Sequence, residues 1–362
     1  MRAAVLREAP GDLVVEEADV ADPGPHEVRI ANAAAGLCHS DLHFMDGTYP
    51  WILPAVLGHE SAGVVEAVGE DVTYVAPGDH VITCVSVFCG ECEQCLGGRP
   101  ALCSSPSVRP PAGAPPRLTL RSGEPLSQFS DLGSFAEELL VHERAVVKIP
   151  RDVPLDRAAL VGCGVITGVG AVFNTAQVRP GTTVAVVGCG GIGLNCVQGA
   201  RIAGALRVIA VDVQPWKLEL ATTFGATDVV DAGAGDPVAQ VRELTGGGVD
   251  YSFEAIGTKG TVEQVYAMAR PGGTATVIGM VPLGTKVEIE GADFLSERRL
   301  LGCLMGSNRF RTEMPRILEL YRQGRLLLDE LVTSRISLDG LNAAAAELRA
   351  GSIARSVVVF PT

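Results

Sequence analysis

Four of the chain's ten cysteines, Cys89, Cys92, Cys95 and Cys103, fall within fifteen residues in the pattern C-x2-C-x2-C-x7-C. Four thiolates so spaced suit a tetrahedral zinc whose coordination is complete and which does no chemistry itself. An iron–sulfur cluster is the rival, but the bacterial run has a shorter last interval and a proline after its fourth cysteine, where Ser104 stands here. A disulfide knot would require an oxidising compartment. A loop without metal is the remaining alternative.

A second set of chemically able residues is dispersed. "GLCHSDLHF" supplies Cys38, His39, Ser40, Asp41 and His43; "LGHESAGVVEAVG" supplies His59 and Glu60; "GCGVITG" supplies Cys163. Taken singly, each is more simply a packed core residue. Taken together, Cys, His and Cys hold a zinc with a fourth position open to water or substrate. Gly63 stands where a metalloprotease H-E-x-x-H helix needs its second histidine, so that reading fails.

A third pattern addresses phosphate. "VGCGGIG" gives G-x-G-x-x-G at Gly188, Gly190 and Gly193, after the apolar run "TTVAVVG" and before a helix-like stretch, with Asp212 closing the next apolar run. Gly188 allows the tight turn, Gly190 lets a pyrophosphate approach the backbone, and Gly193 lets helix pack on strand. Gly191 and Ile192 open the helix whose free N–H groups face the phosphates. Asp212 can accept from an adenosine ribose hydroxyl and would repel a 2′-phosphate, which favours NAD over NADP; Lys217 is near enough to flank the ribose. Cys189 and Cys196 read as small packing residues, as do Cys84 and Cys303.

Two kinds of element must position these groups. From about residue 165 apolar runs alternate with helical stretches, the rhythm of a parallel sheet covered on both faces. The first 150 or so residues instead read as short strands broken by Gly and Pro, an antiparallel or barrel-like domain. "PSVRPPAGAPPRLTL" (Pro106–Leu120) reads as an exposed loop. The 362 residues suffice for about two domains. A net charge of −13 argues against nucleic acid or an anionic membrane as partner. No signal peptide and no uninterrupted apolar span stand out, so a cytoplasmic, soluble protein is expected.

Together the motifs resemble the zinc-dependent medium-chain alcohol dehydrogenases of the two-zinc type, over essentially the whole chain. "GHESAGVVEAVG" has the form of that family's signature G-H-E-x2-G-x5-G, and the four-cysteine loop, "GCGVITG" and the glycine turn follow in the family's order. The resemblance implies an α/β and β protein: a GroES-like β-barrel catalytic domain over 1–164 and 305–362, and a Rossmann domain, a doubly wound parallel sheet, over 165–304. It implies two Zn2+ per chain and NAD(H). Cys38, His59 and Cys163 match the catalytic zinc ligands, Cys89, Cys92, Cys95 and Cys103 the structural ones. Glu60 matches an acid near the metal, Asp41 the carboxylate orienting the ligand histidine, and Ser40 and His43 a proton relay. Thr167 and Ile278 fall where the nicotinamide is held; His39, in place of the commoner arginine, and Arg355 fall where cations meet the phosphates. Tyr49, Trp51, Val85 and Phe129 are candidate walls of the substrate pocket, with Val85 making it roomier.

The expected function is interconversion of alcohols, primary and apolar or bulky, with aldehydes or ketones by hydride transfer. Relatives that oxidise glutathione adducts of formaldehyde carry charged groups at the pocket mouth; "DGTYPWILPAV" offers Tyr49, Pro50 and Trp51, and no arginine follows Cys103 closely, so that activity is not expected. A homodimer or homotetramer is implied, with "DFLSERRLLGCLMG" as edge segment. Two alternatives stand: permanently bound NAD(H) recycled by an external acceptor, and a zinc-loop interaction module without catalysis, against which the charge and the complete nucleotide motif count.

Overall fold

Residues Glu27–Leu37 alternate half-buried and buried side chains before running fully buried at their end, as a strand does whose one face meets a core and whose tip enters it. In the computed structural model, which describes residues 1–111 and 113–361, this strand anchors the first of two units. Ala112, inside the expected proline-rich loop, lies outside the described residues. Glu27–Leu37 pairs antiparallel with Glu60–Val68, with Glu138–His142 and, from the far end of the chain, with Ser356–Val359. Arg2–Leu6, Leu13–Val20, Leu118–Leu120, Pro125–Gln128 and Ala55–Val56 close into a small barrel. The expected barrel domain is thus formed by strands from both ends of the sequence. The proline-rich segment holds a short helical turn at Pro106–Val108, whose Val108 is buried, while Pro110, Pro111, Pro115 and Pro116 are exposed.

The second unit is a six-stranded parallel sheet in the order Asp228–Asp231, Arg207–Asp212, Thr183–Val187, Val249–Glu254, Ala269–Val277, Arg299–Gly302. The strand order runs outward in both directions from Thr183–Val187, the doubly wound arrangement in which ligands sit beyond the carboxyl ends of the strands. Thr183–Val187 and Arg207–Asp212 are buried almost throughout, which is why they read as unbroken apolar runs. Met305–Asn308 and Gln323–Leu327, assigned to the first domain from the sequence, pack with this unit. Local bonds explain it: Asn174 Nδ2 donates to Gly306 O, and Gln198 accepts from Leu327 N and donates to its carbonyl.

One helical run, Leu155–Thr175, is long and apolar enough to cross a membrane by length and composition; 83% of its most apolar window is buried inside the protein, as in a core helix. Its winding widens at Val161–Val165, the turn that carries Cys163.

Candidate active site

The strand Glu27–Leu37 ends at Cys38, which caps the short helix His39–Met45. Asp41, three residues into that helix cap, is fully buried, and its carboxylate does three things at once. Oδ2 accepts from the Cys38 N–H at 3.0 Å, and Oδ1 accepts from the Gly58 N–H at 3.2 Å and faces His59 Nδ1 at 3.1 Å. A carboxylate can only accept there, so Nδ1 carries the proton and Nε2 is left as the ligating atom. His59 enters from the chain just before Glu60–Val68, and Cys163 from the widened helical turn. The ligand atoms of Cys38, His59, Glu60 and Cys163 lie within 4.8 Å of one another, and all four residues are buried.

Two thiols and an imidazole, desolvated and convergent, fit zinc by their donor chemistry. Their electrostatics point the same way. A hydrogen bond from Cys163, with His59 and Arg355 nearby, pulls the Cys38 thiol well below its ordinary value. The same contact, with burial, pushes Cys163 up, because two adjacent thiols cannot both ionise without a cation. Burial works against a charge on His59, but Asp41 outweighs it and raises the group.

Glu60 is the buried acid beside this cluster, raised by burial against the pull of Arg355. Arg355 is 4% exposed; it pairs with Glu60 and donates to Leu37 O at 3.1 Å. The cation expected at a phosphate is therefore held, within the first unit, against the acid of the metal cluster. Ser40 and His43 share a face of the helix His39–Met45, three residues apart. Ser40 Oγ is 3.7 Å from Cys38 Sγ, and half-buried His43, lowered by that burial, meets the Tyr49 ring edge-on at 5.8 Å. His39 is exposed.

Aromatic side chains stand over the cluster. The Phe129 ring lies 5.5 Å from His59, 5.0 Å from Trp51 and 4.4 Å from Phe44, and Phe44 lies 6.0 Å from Tyr49. The structure thus gathers Tyr49, Trp51 and Phe129 of the expected wall. It adds Phe44, which the sequence reading missed although "HSDLHF" places it four residues after Ser40 on one helix. Val85 instead packs against the core cluster that includes Val81, Val87 and Cys89.

In the four-cysteine loop the Sγ separations are 3.9 Å for Cys89–Cys95, 3.9 Å for Cys92–Cys103 and 3.7 Å for Cys89–Cys103. A regular tetrahedron with zinc–sulfur bonds of ~2.3 Å has sulfur–sulfur edges of ~3.8 Å. The sulfurs also accept N–H groups: Cys89 from Glu91 and Cys92, and Cys103 from Cys89. These backbone donors bring Cys89 down to about 6, while burial and the other thiols push Cys95 up to about 12. Four sulfurs so close share less than four negative charges until a cation joins them. All ten cysteines are free thiols among the described residues.

The glycine turn of the second unit is as tight as its sequence requires. Gly188 stands at φ +93°, and a Cβ on Gly193 would fall 1.7 Å from Gly188 O. A Cβ on Gly190 would meet only open space at the N-terminus of the helix Gly191–Ile202, a cradle of the kind a pyrophosphate fills. Asp212 Oδ2 accepts from Cys189 N at 2.8 Å and Oδ1 from Gln214 N at 3.0 Å, so its carboxylate is fixed at the edge of that turn. Lys217 lies over the Trp216 ring, 5.6 Å from its centroid. Thr167 is buried against Met305 Sδ at 3.6 Å, and Ile278 follows Ala269–Val277 with its N–H on Glu254 O.

Comparison with known proteins agrees with this geometry. Residues 24–151 match the family model of the alcohol dehydrogenase GroES-like domain, and residues 191–321 that of the zinc-binding dehydrogenases. An alcohol dehydrogenase class-3 of Myxine glutinosa is 38% identical over 365 residues, covering 99% of this chain and 97% of its own. The crystal structure of an alcohol dehydrogenase zinc-binding domain protein from Burkholderia ambifaria superposes with a TM-score of 0.94 at 39% identity, over 100% of this chain and 99% of that one. Benzyl alcohol dehydrogenase from Acinetobacter calcoaceticus does so with a TM-score of 0.92 at 34% identity, over 99% of each chain. With its barrel domain, doubly wound sheet and buried Cys–His–Cys cluster, the chain belongs to the zinc-dependent medium-chain alcohol dehydrogenases, oxidoreductases acting on alcohols.

Proposed function

We propose that the protein oxidises primary alcohols with apolar or aromatic bodies to aldehydes, reversibly, with NAD as hydride acceptor and two zinc ions per chain. The observation that carries this reading is the Phe129 ring 5.5 Å from His59, within an aromatic group that also holds Phe44, Tyr49 and Trp51. A flat apolar substrate would be received there beside the ligand histidine. The stretch Tyr49–Pro54 brings no charged side chain to that wall, which favours an uncharged substrate over a charged thiol adduct. The likeness to benzyl alcohol dehydrogenase supports the same substrate class. The site is read as intracellular in setting, given ten free thiols.

In this reading Cys38, His59 and Cys163 hold the catalytic zinc, and Cys89, Cys92, Cys95 and Cys103 the structural one. Bound zinc supplies Lewis acidity toward an alcohol oxygen, and bound NAD supplies the hydride acceptor. The chain's own residues do the rest. Asp41 fixes the His59 ring. Ser40 Oγ, beside Cys38, takes the hydroxyl proton as it gives up its own, and His43, whose charged form burial disfavours, receives the released proton further along the same helix face. Glu60 and Arg355 keep a balanced charge pair beside the thiols. Gly188, Gly190, Gly191, Ile192 and Gly193 receive the pyrophosphate, Asp212 and Lys217 the ribose, and Thr167 and Ile278 the nicotinamide. We also read the assembly as a homo-oligomer.

Activity of Ser40→Ala tests the relay. Turnover is expected to fall ~100-fold or more with zinc content unchanged; near-normal turnover would remove Ser40 from the mechanism.

A further inference from the structure

Phe129 touches His59, and the backbone just after it is strained. Ser130 and Asp131 stand at φ +54° and +59°, in the left-handed region disfavoured for residues with a Cβ. Two adjacent residues persist there only where their surroundings hold them. Both flanks of this turn are fastened. Before it, Gln128 Nε2 donates to the carbonyls of Leu132 at 2.9 Å and Leu140 at 3.2 Å. After it, the Leu132 and Gly133 N–H groups donate to Phe129 O at 3.0 and 3.1 Å.

The strained residues themselves are reached from another part of the chain. Arg109 Nη1 donates to Asp131 Oδ2 at 2.5 Å. Arg109 directly follows Val108, which is buried in the same core cluster as Leu132, so both ends of the ion pair are mounted on one core. A cavity of about 250 Å³ is lined by Trp51 and Ile52, by Pro110, Pro111 and Pro115, and by Asp131. Close packing therefore does not back the turn on that side, where Asp131 is held by its ion pair with Arg109.

We propose that Arg109 and Asp131 are positioning residues for substrate selection: their ion pair holds the 129–131 turn so that the Phe129 ring stands against His59 and Trp51 as the wall for a bulky alcohol. This rests on the reading of the Cys38–His59–Cys163 cluster as the site of alcohol oxidation. Small alcohols make no use of the wall, so the ion pair acts on the choice between substrates and leaves the chemistry alone.

The experiment compares zinc-loaded wild type with Asp131→Asn, Arg109→Gln and Arg109→Lys, using benzyl alcohol and ethanol. Loss of a half-exposed ion pair is expected to raise KM for benzyl alcohol about fivefold in Asp131→Asn and Arg109→Gln, with kcat and the KM for ethanol within about twofold. Arg109→Lys, which keeps a single N–H contact and the charge, is expected to follow wild type. A second readout needs no turnover. In a Trp216→Phe background Trp51 is the remaining one of two tryptophans, and its quenching by acrylamide is expected to rise in the two variants that cut the ion pair and not in Arg109→Lys. Equal substrate ratios and equal quenching in all four proteins would overturn the proposal. A wild type that oxidises no alcohol would overturn the functional reading and the selection role with it, while the quenching would still show whether the turn is tethered.

Discussion

Asp41 serves Cys38, Gly58 and His59 with one carboxylate, so an amide cannot replace it. In Asp41→Asn either the amide NH2 faces the His59 N–H or its single oxygen abandons the Cys38 cap. Zinc affinity at the Cys38–His59–Cys163 cluster is expected to fall about 10- to 100-fold, measured by competition with a chelator, while the four-cysteine site keeps its metal. At this scale the candidate ligands are legible in the sequence, because the four-cysteine spacing stands in one loop and Cys38, His59 and Cys163 each stand in a short motif of their own. Partnerships set by the fold are not legible. Glu60 and Arg355 lie 295 positions apart and meet only because the last strand pairs with Glu27–Leu37. Val85 has the chemistry of a pocket wall but, half-buried in a bend, packs against a core cluster.

Among the elements, the glycine turn and the strand end at His142 make separate demands. Gly193→Ala would drive a methyl group into Gly188 O, which is backbone and cannot swing aside. Weakened NAD binding and a lower melting temperature are expected, with zinc content unchanged; intact NAD affinity by calorimetry would show that the helix does not need that close approach. His142 caps the helical turn after Glu138–His142, its Nδ1 accepting the Arg144 N–H at 3.0 Å. Burial lowers it to about 4. The unfolded chain, with an ordinary value of about 6.5, takes up the proton first. This contribution to stability is therefore present above about pH 6.5 and is lost as pH falls toward about 4. The melting temperature of wild type is expected to fall more steeply across that window than that of His142→Asn, which keeps an acceptor but does not titrate; parallel curves would remove His142 from the balance. The alternation of strands and helices in the second unit is plain in the sequence because buried parallel strands are unbroken apolar runs. The first unit is harder to read, because its short strands pair across long stretches of chain and its barrel is closed by strands as brief as Ala55–Val56.

At the scale of the molecule, two groups of side chains that could hold a metal lie in one unit and the glycine turn in the other. The four-cysteine loop packs against the core cluster of Val87, Val108, Leu132 and Leu139, so its metal is expected to act on stability first. Cys103→Ser is expected to lose one zinc and about 5 °C or more of melting temperature while the other zinc stays bound. An unchanged melting temperature would assign the loop no structural metal. The most direct test of the whole account is NADH formation from benzyl alcohol by the zinc-loaded protein, with zinc measured on the same samples, in wild type and Cys163→Ser. The account predicts two zincs per chain and steady turnover in wild type, one zinc and no turnover in the variant. Turnover that survives loss of that zinc, or a fully loaded wild type that reduces NAD with no primary alcohol, would contradict it.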